Sequence, residues 1–384
     1  MTYPSEMRRI LVINGPNLDM LGSRDPEIYG TATLGDLEDL CRSWGAALGA
    51  DVRAFQSNHE GAIIDSLHDA RGAFDAIVLN PGAYAHTSYA IRDAIEAVGV
   101  PTVEVHISNI KEREPWRGVS VTAPACTTSI YGRGIDGYRW AIRHVVFEQR
   151  FRPAVLAYGD GPDHVGDLRI PEGEGPHPIA VLVHGGFWKR EWTRDLMDGL
   201  AVDLAERGIA TWNVEYRKAN EGGGWPQTAE DVTTAIDHVA HLGARIDRDR
   251  TAVIGHSAGG HLALAARAAT RTEVVALAAV TDLDAAHEDR LGSGAVARFF
   301  GDHPPGEASP IANLPLGVPQ VLVHGTLDDT VPADYSRRYV DAARSAGDEV
   351  EYLELEGVGH VDLIDESSPA WSDIACRLVD RLHP

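Results

Sequence analysis

The chain has 384 residues, 44% hydrophobic and 24% charged, a length that suggests two domains and a composition that excludes wholesale disorder, collagen and a disulfide-stapled miniprotein. Its 34 Lys and Arg against 57 Asp and Glu give a formal charge of -23, which disfavours nucleic acid and anionic membrane surfaces as partners. Residues 1–150 hold 14 basic against 19 acidic side chains, so most of the acidity lies in the remainder.

In the first half the short apolar runs at 10–14, 52–56, 76–80 and 102–107 read as buried strands. Helical patterns at 33–48, 60–71, 88–98 and 137–148 alternate with them. That order predicts a doubly wound, flavodoxin-like parallel sheet over residues 1–150, with ligands beyond the carboxyl ends of the strands. Asn14, Asn17, Asn80, His106, Ser108 and Asn109 collect at those ends. Residues 154–384 repeat the class. Strands are expected at 179–185, 209–216, 251–257, 274–280 and 320–325, and helices at 191–206, 227–240, 259–269 and 333–346.

Cys41, Cys126 and Cys376 are odd in number and far apart, the pattern of free thiols in a reducing compartment. With neither a secretory leader pattern nor a membrane-length apolar run, the expectation is a cytoplasmic protein.

The loop NGPNLDMLGSRDPEIYG (14–30) carries Arg24 and Tyr29. A phenol is a poor base at its reference pKa of about 10, and a nearby guanidinium lowers that value. The two can therefore form a base when the loop closes. In EVHISN (104–109), Glu104 can fix the tautomer of His106 and support its protonated form. Gly132, Gly134 and Gly137 spell G-x-G-x-x-G, but before the last helix of the half rather than in its first strand–helix turn. They read as backbone geometry, not as a dinucleotide fingerprint.

In the second half, Gly255-His256-Ser257-Ala258-Gly259 is G-x-S-x-G between a strand and a helix, the setting of a nucleophile elbow. Ser257, Asp328 and His360 follow in the α/β-hydrolase order. Asp329 and Asp362 are rival acids. Backbone N–H groups of Gly186, Phe187 and Ala258 are the candidate oxyanion donors. Trp188 is expected in the substrate pocket, and 282–316 in part of a cap.

Residues 8–148 resemble a type II 3-dehydroquinate dehydratase through NGPNLDMLGSRDPEIYG, QSNHEG (56–61), NPGAYAHTSYAIRDA (80–94), EVHISN and REPWRGVS (113–120). The resemblance implies anti elimination through an enolate, with Tyr29 as base tuned by Arg24 and His106 as acid. Asn17 would hold the enolate-stabilising water. Asn80, His86, Ile107, Ser108 and Arg117 would bind substrate, and Asp93 would reach it across a subunit boundary of a homododecamer. No metal or cofactor is implied. Residues 154–384 resemble α/β-hydrolases of the kynurenine formamidase and carboxylesterase type through YGDGPDHVGDLRIP (158–171), HGGFW and GHSAGGHLA. The expectation is a bifunctional enzyme whose second site cleaves an ester, such as one of quinate or shikimate. Its alternatives are an N-formylkynurenine-type amidase, or a first domain that serves only as an oligomerisation scaffold.

Overall fold

The computed structural model describes residues 8–23, 30–219, 221–266 and 273–383. The chain divides into two compact units after Arg150. None of the helices among the described residues is long and apolar enough to cross a membrane. Cys41, Cys126 and Cys376 are free thiols.

The first unit holds a five-stranded parallel sheet in the order β2-β1-β3-β4-β5. The strands are β1 (Arg8–Asn14), β2 (Ala50–Gln56), β3 (Ala76–Asn80), β4 (Thr102–His106) and β5 (Thr128–Tyr131). Every residue of β3 and β4 is buried, as continuous apolar runs covered on both faces should be. Helices α1 (Leu34–Ala47), α2 (Glu60–Ala70), α3 (Tyr89–Val98) and α4 (Asp136–Arg150) supply that cover. Ile63, Leu67, Ile91 and Ile95 pack with Leu11, Ile13, Ile77 and Leu79 on one face, while α1 and α4 contact each other. The four expected strands and helices are present. The fifth strand, TSIY, was not anticipated; it is four residues long and only partly buried, so it carries no continuous apolar run. Register puts Asn14 opposite both Gln56 and Asn80, lining up the polar strand ends where the strand order reverses.

The second unit holds an eight-stranded mixed sheet in the order β13-β12-β11-β10-β8-β9-β7-β6. The members are β6 (Ala154–Ala157), β7 (Val165–Arg169), β8 (His177–Val183), β9 (Ala210–Val214), β10 (Ile246–His256), β11 (Glu273–Leu277), β12 (Gln320–Gly325) and β13 (Val350–Leu355). Strands β9 to β13 and β8 are parallel, while β6 and β7 add an antiparallel edge. Three further strands, β6, β7 and β13, go beyond the five expected. β6 and β13 are the edges of the sheet and are less buried, whereas β7 is buried but Asp167 and Arg169 interrupt its apolar run.

The helices are α5 (Asp198–Glu206), α6 (Gln227–Asp237), α7 (Ala258–Ala265), α8 (Leu283–Glu288), α9 (Ala295–Phe300), α10 (Pro305–Ala308), α11 (Asp334–Ser345) and α12 (Pro369–Leu382). The helix expected at 191–206 is α-helical only from Asp198. The end expected for 259–269 falls outside the described residues, and α12 was missed. Pairing of Val183 with both Gly255 and Val214 sets the ends of β8, β10 and β9 side by side.

His261 on α7 is buried and donates from Nε2 to the Ala308 carbonyl at 2.7 Å. Burial pushes its pKa down to about 4, with the carbonyl opposing. The folded protein keeps this ring neutral, whereas the unfolded chain protonates it below about pH 6.5. Its contribution to stability is therefore intact above pH 6.5 and lost progressively down to about pH 4, on the order of 3 kcal/mol in all. Urea unfolding, followed by tryptophan fluorescence, should shift less between pH 7 and 4.5 in His261→Phe than in wild type. Equal shifts would contradict this assignment.

Candidate active sites

In the first unit, a cavity of about 80 Å³ is lined by Asn17, Asn80, His86, His106, Ile107, Ser108, Arg113 and Arg117, among others. Seven of those eight are sequence-selected; Arg113 was missed. Arg24 and Tyr29 lie outside the described residues. Asp93 sits on the exposed side of α3 and is not among the cavity's lining residues.

His106 ends β4, and its Nε2 is 2.7 Å from Glu104 Oε1. Both are buried. Burial pushes the Glu104 carboxyl up, but hydrogen bonds from His106, Thr122 and Ser120 outweigh it and hold the pKa below its ordinary value. An ionised Glu104 takes the Nε2–H, leaving Nδ1 as the nitrogen that can present a proton elsewhere. His86 Nδ1–H donates to the Val119 carbonyl at 2.8 Å. Burial lowers the pKa of His86. The neutral ring therefore carries its lone pair on Nε2, an acceptor for a hydroxyl. The two imidazoles stack with centroids 6.3 Å apart. Arg117 pairs with Glu114 at 2.9 Å and lies 4.0 Å over the Trp116 ring. Asn17 has left-handed backbone geometry (φ 66°) and donates its N–H to Asn58 Oδ1 at 2.8 Å.

Behind the cavity stands Tyr138, which is not among the sequence-predicted residues. Its buried hydroxyl donates to Asn14 Oδ1 at 2.6 Å and accepts from Asn80 Nδ2 at 2.9 Å. The G-x-G-x-x-G string brings it there. Gly132 N–H donates to the His106 carbonyl at 3.2 Å and Gly134 N–H to that of Ile107 at 3.1 Å. A Cβ on Gly137 would sit 3.2 Å from Val105, so glycine eases the approach of α4 to β4. Tyr138→Phe removes the acceptor of the Asn80 Nδ2–H and leaves only the Gly82 N–H on Oδ1 to hold the amide, and should raise KM for this cavity's substrate roughly tenfold with kcat within about threefold. An unchanged KM in steady-state kinetics would contradict that role.

In the second unit, Ser257 sits between β10 and α7 at φ 56° and ψ -119°, a strained conformation for a side-chain-bearing residue. The turn is tight. A Cβ on Gly259 would lie 2.0 Å from the Val183 carbonyl oxygen, and one on Gly255 would lie 2.2 Å from that of Gly259. His360 Nδ1 donates to Asp328 Oδ2 at 2.6 Å. The other carboxylate oxygen accepts from the N–H groups of Thr330 and Val331 at 2.9 and 2.8 Å. Burial raises the pKa of Asp328, but the hydrogen bonds from His324, His360 and Val331 prevail and keep it well below the usual carboxylate range. The rivals are engaged otherwise: Asp362 accepts from the Gly359 N–H and Asp329 from Thr330 Oγ1. The His256 ring, next to Ser257, lies 4.5 Å from that of His360. Ser257 itself makes no hydrogen bond to His360 among the described residues.

The loop after β8 runs through left-handed geometry at Gly186, Phe187 and Trp188. A Cβ on Gly186 would lie 2.2 Å from that of Trp192. Trp188 corrects an expectation. It is fully buried, stacked on Phe299 at 4.2 Å and edge-on to His261, so it belongs to the core rather than to a substrate pocket. The short helices of 282–316 cover this loop: Gly292 backs onto the Phe187 ring and Phe299 onto Trp188.

The sequence matches the family Dehydroquinase class II over residues 8–146 and the family BD-FAE over residues 167–302. Catabolic 3-dehydroquinase 1 of Neosartorya fischeri is 51% identical over 145 residues, covering 38% of this chain and 97% of that protein. Catabolic 3-dehydroquinase of Emericella nidulans is 51% identical over 146 residues, 38% of this chain and 94% of that one. A truncated carbohydrate esterase from gut microbiota superposes with TM-score 0.53 at 19% identity, over 60% of this chain and 95% of the other. A thermophilic esterase of Thermogutta terrifontis gives 0.50 at 22%, over 59% and 90%. At such identities these two structures establish a shared fold.

Proposed function

Since the chain belongs to the type II dehydroquinases through its first domain and carries a BD-FAE esterase domain in its second, we propose that it is a bifunctional enzyme with two separate sites. The first converts 3-dehydroquinate to 3-dehydroshikimate. Tyr29, its pKa lowered by Arg24, removes the C2 proton, and the enolate is stabilised through a water held by Asn17. His106, kept oriented by Glu104, protonates the departing C1 hydroxyl from Nδ1. Asn80, His86, Ser108 and Arg117, with the backbone of Ile107, hold the hydroxyls and carboxylate. Asp93 completes the site from a neighbouring subunit of a homododecamer. The buried His106–Glu104 pair facing a polar cavity is the observation that carries this reading.

In the second site His360 takes the Ser257 proton and then delivers it to the leaving group. Asp328 stays ionised and stabilises the imidazolium. The N–H groups of Gly186, Phe187 and Ala258 receive the oxyanion. Its carrying observation is the 2.6 Å His360–Asp328 bond on the strand ends that also hold the Ser257 elbow. The name of the relatives, catabolic 3-dehydroquinases, supports a degradative setting. There an esterase that frees quinate, shikimate or a related hydroxy acid would supply the neighbouring domain. A panel of quinate and shikimate esters, simple esters and N-formylkynurenine tests this substrate. Cleavage of the formamide alone would overturn the ester reading.

A further inference from the structure

Behind the loop that follows β8 lies a buried ionic cluster that the chemistry above does not use. His184, Glu215 and Lys218 are 0%, 5% and 4% exposed. His184 Nδ1 is 2.7 Å from the Gly185 carbonyl, which can only accept, so Nδ1 carries a hydrogen. Nε2 is 2.9 Å from Glu215 Oε1 and 2.8 Å from Lys218 Nζ. The ionised Glu215 also only accepts, so a proton on Nε2 would require a neutral Lys218; a protonated Lys218 instead donates to the Nε2 lone pair and to Glu215 together. The trio then has no net charge, and the imidazole is neutral. Glu215 also accepts the N–H groups of Arg194 and Tyr216, both at 3.1 Å. Tyr216 stacks on His184 at 4.3 Å and donates its hydroxyl to the His184 carbonyl at 2.7 Å. Ala219 N–H donates to Trp188 O at 3.1 Å, tying down the far end of the loop.

Burying an ammonium and a carboxylate is costlier than filling the same volume with apolar side chains. The geometry points to the return. The Gly185 carbonyl and the Gly186 N–H belong to one planar trans peptide and point in opposite directions. Pinning the carbonyl on His184 therefore aims the N–H. We propose that Lys218 is a positioning residue for ester hydrolysis: its ammonium holds His184 as the Nδ1–H tautomer, which fixes the Gly186 N–H on the developing oxyanion. This rests on the proposed roles of Ser257 and Gly186.

Loss of the ammonium has a pH-dependent consequence. At low pH Glu215 draws a proton onto His184 Nε2; the imidazolium keeps its Nδ1–H and restores neutrality. As pH rises and one proton leaves, the ring keeps the proton that faces Glu215. Nδ1 is then a lone pair against the Gly185 oxygen, and the peptide turns away. The other polar groups around the cluster are Arg194, whose guanidinium is 3.9 Å from Glu215, the Asp163 carboxylate, and the Tyr158 and Tyr216 hydroxyls. None of them replaces the Lys218 contact to Nε2.

The test is p-nitrophenyl butyrate hydrolysis by the full chain between pH 6 and 9. Lys218→Met should lose about 100-fold in kcat at pH 9, the size expected of an oxyanion donor, with KM within about threefold. The loss should shrink below about tenfold at pH 6, and Lys218→Arg should stay within about tenfold of wild type throughout. A kcat within about threefold of wild type at pH 9, a loss of equal size at every pH, or a loss carried in KM would each overturn the proposal. If Lys218→Met does not fold, imidazole nitrogen shifts of the wild-type chain decide: a His184 lone pair on Nε2 supports it and one on Nδ1 refutes it. Ser257→Ala separates the two levels. Turnover surviving in that variant would sink the underlying site reading, whereas turnover lost there with Lys218→Met silent would sink this inference alone.

Discussion

Replacing Ser257 with alanine is expected to lower ester hydrolysis by roughly 10⁴-fold or more while leaving 3-dehydroquinate turnover unchanged. The expectation follows from the elbow. Ser257 is held in strained geometry by glycines that admit no Cβ, and its proposed base is already oriented by a carboxylate that remains ionised. Residues of a nucleophile–base–acid set act as a unit, so removing the nucleophile forfeits nearly all that the set contributes. Only the oxyanion donors and binding remain. Folding should be little affected, because alanine keeps the Cβ and Ser257 makes no side-chain cap to α7. Steady-state rates with p-nitrophenyl butyrate and with 3-dehydroquinate, on the same preparation, check both halves of the statement. A residual ester rate within about tenfold of wild type would show that the serine is not the nucleophile.

His106→Ala should lower kcat for 3-dehydroquinate by about 10³-fold, with ester hydrolysis untouched. Hydroxide is a poor leaving group, so its expulsion from the enolate depends on a proton delivered at that moment. In the proposed site only His106 is placed to deliver it. Glu104 magnifies the effect, because it is fully buried and engaged by Thr122 and Ser120 as well as by His106. Taking away the imidazole leaves a buried carboxylate without its strongest partner. Some loss of stability in the first unit should therefore accompany the loss of rate. Enone absorbance reports the rate and thermal unfolding the stability. A change confined to KM would instead place His106 in substrate binding.

Much of both sites could be read in the sequence because their residues sit at the ends of buried parallel strands. A continuous apolar run such as AIVLN announces its strand, and the polar residue that ends it marks the ligand side of the sheet. Asn80, His106 and the turn of Ser257 were found in that way. What escaped lies elsewhere. Tyr138 reaches Asn80, its bonding partner behind the cavity, from a helix 58 residues further along, and nothing in its local pattern sets it apart from a packing aromatic. Glu215 and Lys218 follow a strand as an ordinary charged stretch; only the pairing of β8 with β9 brings them under His184. Trp188 was misassigned for the converse reason. It adjoins the glycine loop in sequence, but its left-handed backbone turns the ring into the core. The edge strands β5, β6 and β13 share another cause, since partial burial weakens the pattern that would reveal them; β7 is buried, but Asp167 and Arg169 break its apolar run.

Two independent active sites on one chain should be separable on a single preparation. The deciding measurement assays 3-dehydroquinate dehydration and p-nitrophenyl butyrate hydrolysis on the purified protein, before and after labelling with a serine-directed phosphonate. Both activities are expected beforehand and, after labelling, loss of the esterase with enone formation unchanged. Absence of dehydration from the unlabelled protein, or loss of both activities together, would contradict it.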